Sequence, residues 1–75
     1  LDLEPGGGSG DEPYSHAGEE CGVVIEGCLE ISMDGRPYIL NQGDSFHFES
    51  SRPHQFRNLG EGKCRVIWAT TPPIW

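Results

Sequence analysis

From residue 20 onward the chain has no room for a long regular element. Turn-forming residues interrupt it about every five to ten positions: Gly27, Asp34-Gly35, Asn41-Gln42-Gly43, Ser50 to Pro53 and Leu59 to Gly62. Between them lie "CGVVIE", "CLEISM", "RPYIL", "SFHFE", "HQFRN" and "CRVIWAT", short runs rich in β-branched and aromatic residues that read as strands. Leu29, Ile31 and Met33 alternate with Glu30 and Ser32, the period of two of a half-buried strand. Asp34-Gly35 supplies the left-handed residues of a tight turn, so "CLEISM" and "RPYIL" are expected to pair as an antiparallel hairpin. No window carries helical periodicity. The fold class is therefore all-β, a sandwich or small barrel of short antiparallel strands.

Seventy-five residues make one domain. Its expected parts are an irregular leading loop (1–13), a barrel (14–70) and a proline-rich tail (71–75). Glycines, prolines and acids in "PGGGSGDEP" disfavour a regular element. The phosphate-loop pattern is absent, and G-x-S-x-G would need a glycine where Asp11 stands. Pro72 and Pro73 donate no ladder hydrogen bonds, so Ile74 and Trp75 are expected to cover an edge or a partner. A chain this short buries a modest fraction of its surface, which predicts a dimer, a bound metal or both. Several strands are apolar on both faces, Val66 and Trp68 on one and Ile67 and Ala69 on the other. The outer face is expected to meet a second copy in a homodimer.

Twelve acidic against five basic residues give a net charge of -7, which repels a phosphate backbone. The chain by itself is not expected to hold DNA or RNA. Cys21, Cys28 and Cys64 are odd in number and lack C-x-x-C spacing, pointing to reduced thiols and a cytoplasmic setting. No apolar run approaches the roughly 18 residues of a membrane helix, and no membrane partner is expected. The chain begins at Leu1 without a basic or apolar leader, which reads as a piece of a longer protein.

The residues suited to chemistry are few. "YSHAGEECGVVIEG" places His16 four positions before Glu20, and His54 opens "HQFRN" in the second half. Two imidazoles and one carboxylate converging in one cavity suit divalent zinc, iron, manganese or nickel and leave coordination positions open. The same side chains also suit a metal-free, hydrogen-bonded polar cluster beside a cavity for an organic effector. Glu19 and Glu20 are adjacent on a strand and point to opposite faces, so only Glu20 looks inward. His47, between Phe46 and Phe48, faces away from both and is expected at the surface. Arg52 borders His54 and is the arginine best placed to clamp an anionic effector. Tyr14 is placed to donate a hydrogen bond at the cavity mouth.

These residues resemble the motifs of the cupins. The first motif is a glycine, five residues, H-x-H, three or four residues, E, six residues, G. Gly8, His16, Glu20 and Gly27 are in register, with Tyr14 where the first histidine belongs. The second is G, five residues, P-x-G, two residues, H, three residues, N. Gly43, His54 and Asn58 are in register, while Glu49 and Ser51 replace the proline and glycine. The run from "EPYSHAGEECG" to "VIWATTPPIW" resembles the carboxy-terminal cupin of bacterial Xre-type helix-turn-helix transcriptional regulators. That resemblance implies a jelly-roll barrel that senses a small molecule and dimerises, with DNA contacted only through a separate helix-turn-helix domain. It implies His16, Glu20 and His54 as ligands of one divalent ion, where an ion is bound. An alternative is a small metal-dependent enzyme, a dioxygenase or isomerase, activating oxygen or polarising a carbonyl. A third reading is a dimerisation module whose cavity is filled by Phe48, Phe56 and Trp68.

Overall fold

The structure is a computed structural model that describes residues 1–10 and 12–71. Asp11 and the Pro72-Pro73-Ile74-Trp75 tail, the latter expected to cover an edge or a partner, lie outside the described residues. Seven strands follow in chain order: β1 (Asp2–Leu3), β2 (Glu19–Glu26), β3 (Cys28–Met33), β4 (Arg36–Asn41), β5 (Ser45–Glu49), β6 (His54–Asn58) and β7 (Cys64–Thr71). They form two antiparallel sheets, ordered β1-β7-β2-β5 and β4-β3-β6. The fold is the all-β sandwich that the spacing of turn residues predicts.

The hairpin between β3 and β4 closes on Asp34 and Gly35, with φ of 53° and 82°, the left-handed pair such a turn demands. Its alternation works out as expected. Leu29, Ile31 and Met33 are buried and share the core with Val24, Leu40, Phe48, Cys64 and Val66. Each large aliphatic side chain removed from water here stabilises the fold by roughly 1.5–3 kcal/mol. Phe48 is buried in the core and Phe56 and Trp68 pack against it, so all three occupy the inner face. The Phe56 and Trp68 rings meet at 4.9 Å between centroids, joining β6 of one sheet to β7 of the other.

The leading segment departs from its expected irregularity. β1 pairs with β7, and the Leu1 ammonium donates to the Val66 carbonyl at 3.0 Å. Gly6 and Ser9 then donate backbone N–H bonds to Asn58 and Phe56 (both 3.0 Å), and Asn58 donates back to Gly7 at 2.8 Å. The segment thus lies along the free edge of β6. One glycine explains how, and a second serves the turn between β2 and β3. A Cβ on Gly8 would run into the Phe56 carbonyl oxygen, and one on Gly27, at φ 85°, would lie 2.7 Å from the Lys63 carbonyl oxygen. Both are glycines of the first motif, and the need for each is a close backbone approach. Apolar alternation could not reveal this pairing, because the ladder bonds are made by backbone alone. Among the described residues no helix is long and apolar enough to cross a membrane.

Candidate metal centre

The site forms where two remote segments, 14–20 and 50–54, are laced together by backbone. Tyr14 and His54 exchange N–H to carbonyl bonds of 2.8 and 2.9 Å. His16 donates to the Ser50 carbonyl and Ser50 to that of Gly18, each at 2.9 Å. This lacing sets His16 beside His54 across 38 positions of sequence. Glu20 enters from β2 on its inward face, opposite Phe48, while Glu19 points outward to His47 at 3.3 Å. His47 is exposed, as its place between two inward phenylalanines predicts.

Three ligand-type atoms converge. Nε2 of His16 and Nε2 of His54 each lie 3.1 Å from Glu20 Oε2. Glu20 and His54 are almost fully buried, and His16 is about one-third exposed. The protonation pattern follows from the other ring nitrogens. His54 Nδ1 lies 2.7 Å from the Arg52 carbonyl oxygen and His16 Nδ1 3.1 Å from that of Ala17. A carbonyl only accepts, so each Nδ1 carries a hydrogen; a ring with no second proton then presents its Nε2 lone pair to the carboxylate. In that form acceptors face acceptors, and among the described residues buried His54 Nε2 makes no hydrogen bond although Glu20 Oε2 lies 3.1 Å away. Positive charge at this point, from a second ring proton or from a divalent cation, relieves that contact; the donor set of two imidazoles and a carboxylate fits such an ion.

Glu20 is held from behind by Ser50 and Trp68, neither of which the sequence assigns to the site. Ser50 Oγ donates to Oε2 and the Trp68 indole Nε1 donates to Oε1, both at 2.8 Å. Ser50 is completely buried. The one clue in the sequence was period: Trp68 shares the inward face of its strand with Val66, but nothing fixed which groove it would reach.

Tyr14 stands over the pair of histidines, its ring 4.3 Å from that of His54 and 6.0 Å from that of His16 between centroids. Burial first, and then the Glu20 carboxylate, push its phenol above the ordinary value of 10.0. It is a neutral hydrogen-bond donor at the mouth rather than a ready anionic ligand. Arg52 contributes its backbone to His54, whereas its guanidinium is engaged by Asp34, with Nη2 at 2.7 Å and Nε at 2.8 Å from Oδ2. Beside the centre is an open cleft of about 720 Å³, walled by Ile31, Met33, Leu40, Phe46 and Phe48 and bordered by Arg52. Phe48 separates cleft from centre, its ring 4.8 Å from that of His54.

Comparison with known proteins gives a consistent picture. A family model described as "Cupin domain" matches residues 1–70. The HTH-type transcriptional regulator PuuR of Escherichia coli K12 is 41% identical over 70 residues, covering 93% of this chain and 37% of PuuR. This chain therefore spans well under half the length of that relative. Among solved structures, the Cupin_2 domain of an XRE family transcriptional regulator from Enterobacter cloacae superposes with a TM-score of 0.81 at 29% identity, covering 96% of this chain and 76% of that one. A sugar phosphate isomerase of the cupin superfamily from Silicibacter pomeroyi superposes with a TM-score of 0.79 at 27% identity, over 96% of this chain and 47% of that one.

Proposed function

Because this chain belongs to the cupin domain family, we propose that it is the small-molecule-sensing and dimerising module of a cytoplasmic transcriptional regulator, built around one divalent metal ion. The observation that carries the metal reading is the buried Nε2 of His54, which makes no hydrogen bond although Glu20 Oε2 lies 3.1 Å away, within a set of two imidazoles and one carboxylate that suits a divalent ion. His16, His54 and Glu20 Oε2 would hold the ion. When bound, it supplies a Lewis-acidic anchor for an oxygen- or nitrogen-bearing effector. The chain's own residues do the rest. Tyr14 offers a hydrogen bond at the mouth, Arg52 a cationic edge tempered by Asp34, and the cleft behind Phe48 an apolar wall. The regulator reading is supported by the 41% identity to PuuR and the likeness to the XRE-family domain. DNA would be contacted through a separate helix-turn-helix domain.

The second copy belongs on the outer face of the larger sheet. Ile25 and Ile67 project there, 46% and 60% exposed, a surface that burial between copies would remove from water. An enzyme remains the second reading, favoured by a three-ligand set that leaves positions open for substrate and by the likeness to the isomerase.

Metal analysis by mass spectrometry tests the centre. Untagged protein purified without chelator should carry near-stoichiometric metal and His54→Ala should carry none; a folded, metal-free parent would refute the metal reading. Screening the metal-loaded domain against small organic ligands separates the two functions. Saturable thermal stabilisation without chemical change fits a sensor, and turnover fits the enzyme.

A further inference from the structure

We infer that Trp68 is a positioning residue that restricts Glu20 to ligation through one oxygen, and so sets which ions the centre accepts. This rests on the metal reading above. Each oxygen of Glu20 carries one donor, and the two donors differ in kind. Oε2, the oxygen that faces both imidazoles, receives the Ser50 hydroxyl. Oε1, on the other side of the carboxylate, receives the indole N–H of Trp68. A hydroxyl can rotate and accept instead. An indole N–H is a donor only, so turning Oε1 toward an ion would leave that N–H without a partner among apolar rings. Nor is the indole free to follow, because its ring is wedged between those of Phe46 at 4.6 Å and Phe56 at 4.9 Å.

The consequence is selectivity. With Oε1 retained by Trp68, the centre offers two imidazole nitrogens and a single carboxylate oxygen. That set favours zinc-like ions over calcium, which takes six to eight oxygen ligands and uses carboxylates in bidentate fashion. Trp68→Phe keeps an aromatic ring between Phe46 and Phe56 but removes the N–H. Glu20 is then free to turn, and outer-sphere partners of this kind typically contribute about 10–100-fold in metal affinity.

The test measures cobalt(II) and calcium affinities and the cobalt(II) visible spectrum for the parent, Trp68→Phe and Ser50→Ala. Trp68→Phe should narrow the cobalt-to-calcium preference by about 10–100-fold and change the spectrum toward higher coordination number. Ser50→Ala, which removes a donor from the ligating oxygen, should weaken cobalt binding while leaving the spectrum unchanged. Equal preference and spectrum in the parent and Trp68→Phe would overturn the inference and spare the metal reading. A parent that binds no cobalt would overturn both. Should Trp68→Phe fail to fold, the indole N–H resonance of the parent decides. It should keep its hydrogen-bonded downfield position when zinc is added, and its loss would show Oε1 leaving Trp68 for the ion.

Discussion

Replacing Asn58 by alanine should destabilise the domain by about 3 kcal/mol without touching the candidate metal centre. The side chain is 1% exposed and makes three hydrogen bonds. Nδ2 donates to the Leu3 carbonyl at 3.0 Å and to the Gly62 carbonyl at 2.8 Å, and Oδ1 accepts from the Gly60 N–H at 2.8 Å. Leu3 is buried, so its abandoned carbonyl incurs a desolvation penalty of about 1–3 kcal/mol. Gly60 and Gly62 lie nearer the surface, where water can replace the lost partner, and each bond there counts for about 0.5–1.5 kcal/mol. The sum of roughly 2–6 kcal/mol is a large part of the about 4–11 kcal/mol expected for a chain this size. In a thermal melt followed by circular dichroism, a loss of about 3 kcal/mol should lower Tm by about 12–24 °C. A drop under about 5 °C would refute the reasoning, since it would mean that β1 and the 59–63 turn do not depend on this residue. Asn58→Asp supplies a signed check. It sets a carboxylate against two carbonyl oxygens, so folding favours the protonated acid. The variant's deficit should therefore be smallest below about pH 3.9, the ordinary Asp value, and grow as pH rises through it.

Three further outcomes are expected. Gly8→Ala should shift the leading segment off β6, because the added Cβ meets the Phe56 carbonyl oxygen; a lower Tm together with weakened metal uptake would show that this segment carries Tyr14 and His16 into place. Thiol labelling under native conditions should modify exposed Cys21 first and Cys64 only on unfolding, since burial above all, with Cys28 nearby, pushes the Cys64 thiol above 9.0; rapid labelling of Cys64 in folded protein would contradict this. The Arg65 guanidinium holds the Asp2 carboxyl below its ordinary 3.8, so the pair contributes stability above that pH and loses it as pH falls through the lower folded value. The Tm difference between the parent and Asp2→Asn should accordingly be present at pH 7 and vanish in strong acid.

The strands were legible because each carries its own evidence within five to eight residues. Alternation placed Leu29, Ile31 and Met33 inward and sent Glu19 and His47 out, and Asp34-Gly35 fixed the one hairpin whose register local chemistry dictates. β1 escaped because two residues have no period, and because its bonds run to β7, more than 60 positions away. Which way Phe48, Phe56 and Trp68 faced was likewise undetermined by strands taken singly. Phe56 and Trp68 pack against each other across the two sheets, and that contact exists only once the sheets are stacked.

The candidate site divides along the same line. His16, Glu20 and His54 could be named because a ligand set is a matter of residue type and inward period, and the folded chain does bring their ligand atoms together. Arg52 could be named for its neighbourhood to His54, yet its guanidinium turned to Asp34 and its backbone carbonyl took the working role. That carbonyl and that of Ala17 accept the Nδ1–H of His54 and His16, which turns both Nε2 atoms toward Glu20. Main-chain oxygens have no letter in the sequence. Asn58, a residue of the second motif, proves to be a clasp for β1 and the 59–63 turn, not a ligand. A motif in this fold therefore records two kinds of necessity. One is the chemistry of two imidazoles and a carboxylate brought together as a donor set that fits a divalent cation. The other is the packing of the frame around the site, close backbone approach at Gly8 and Gly27 and the side-chain clasp of Asn58.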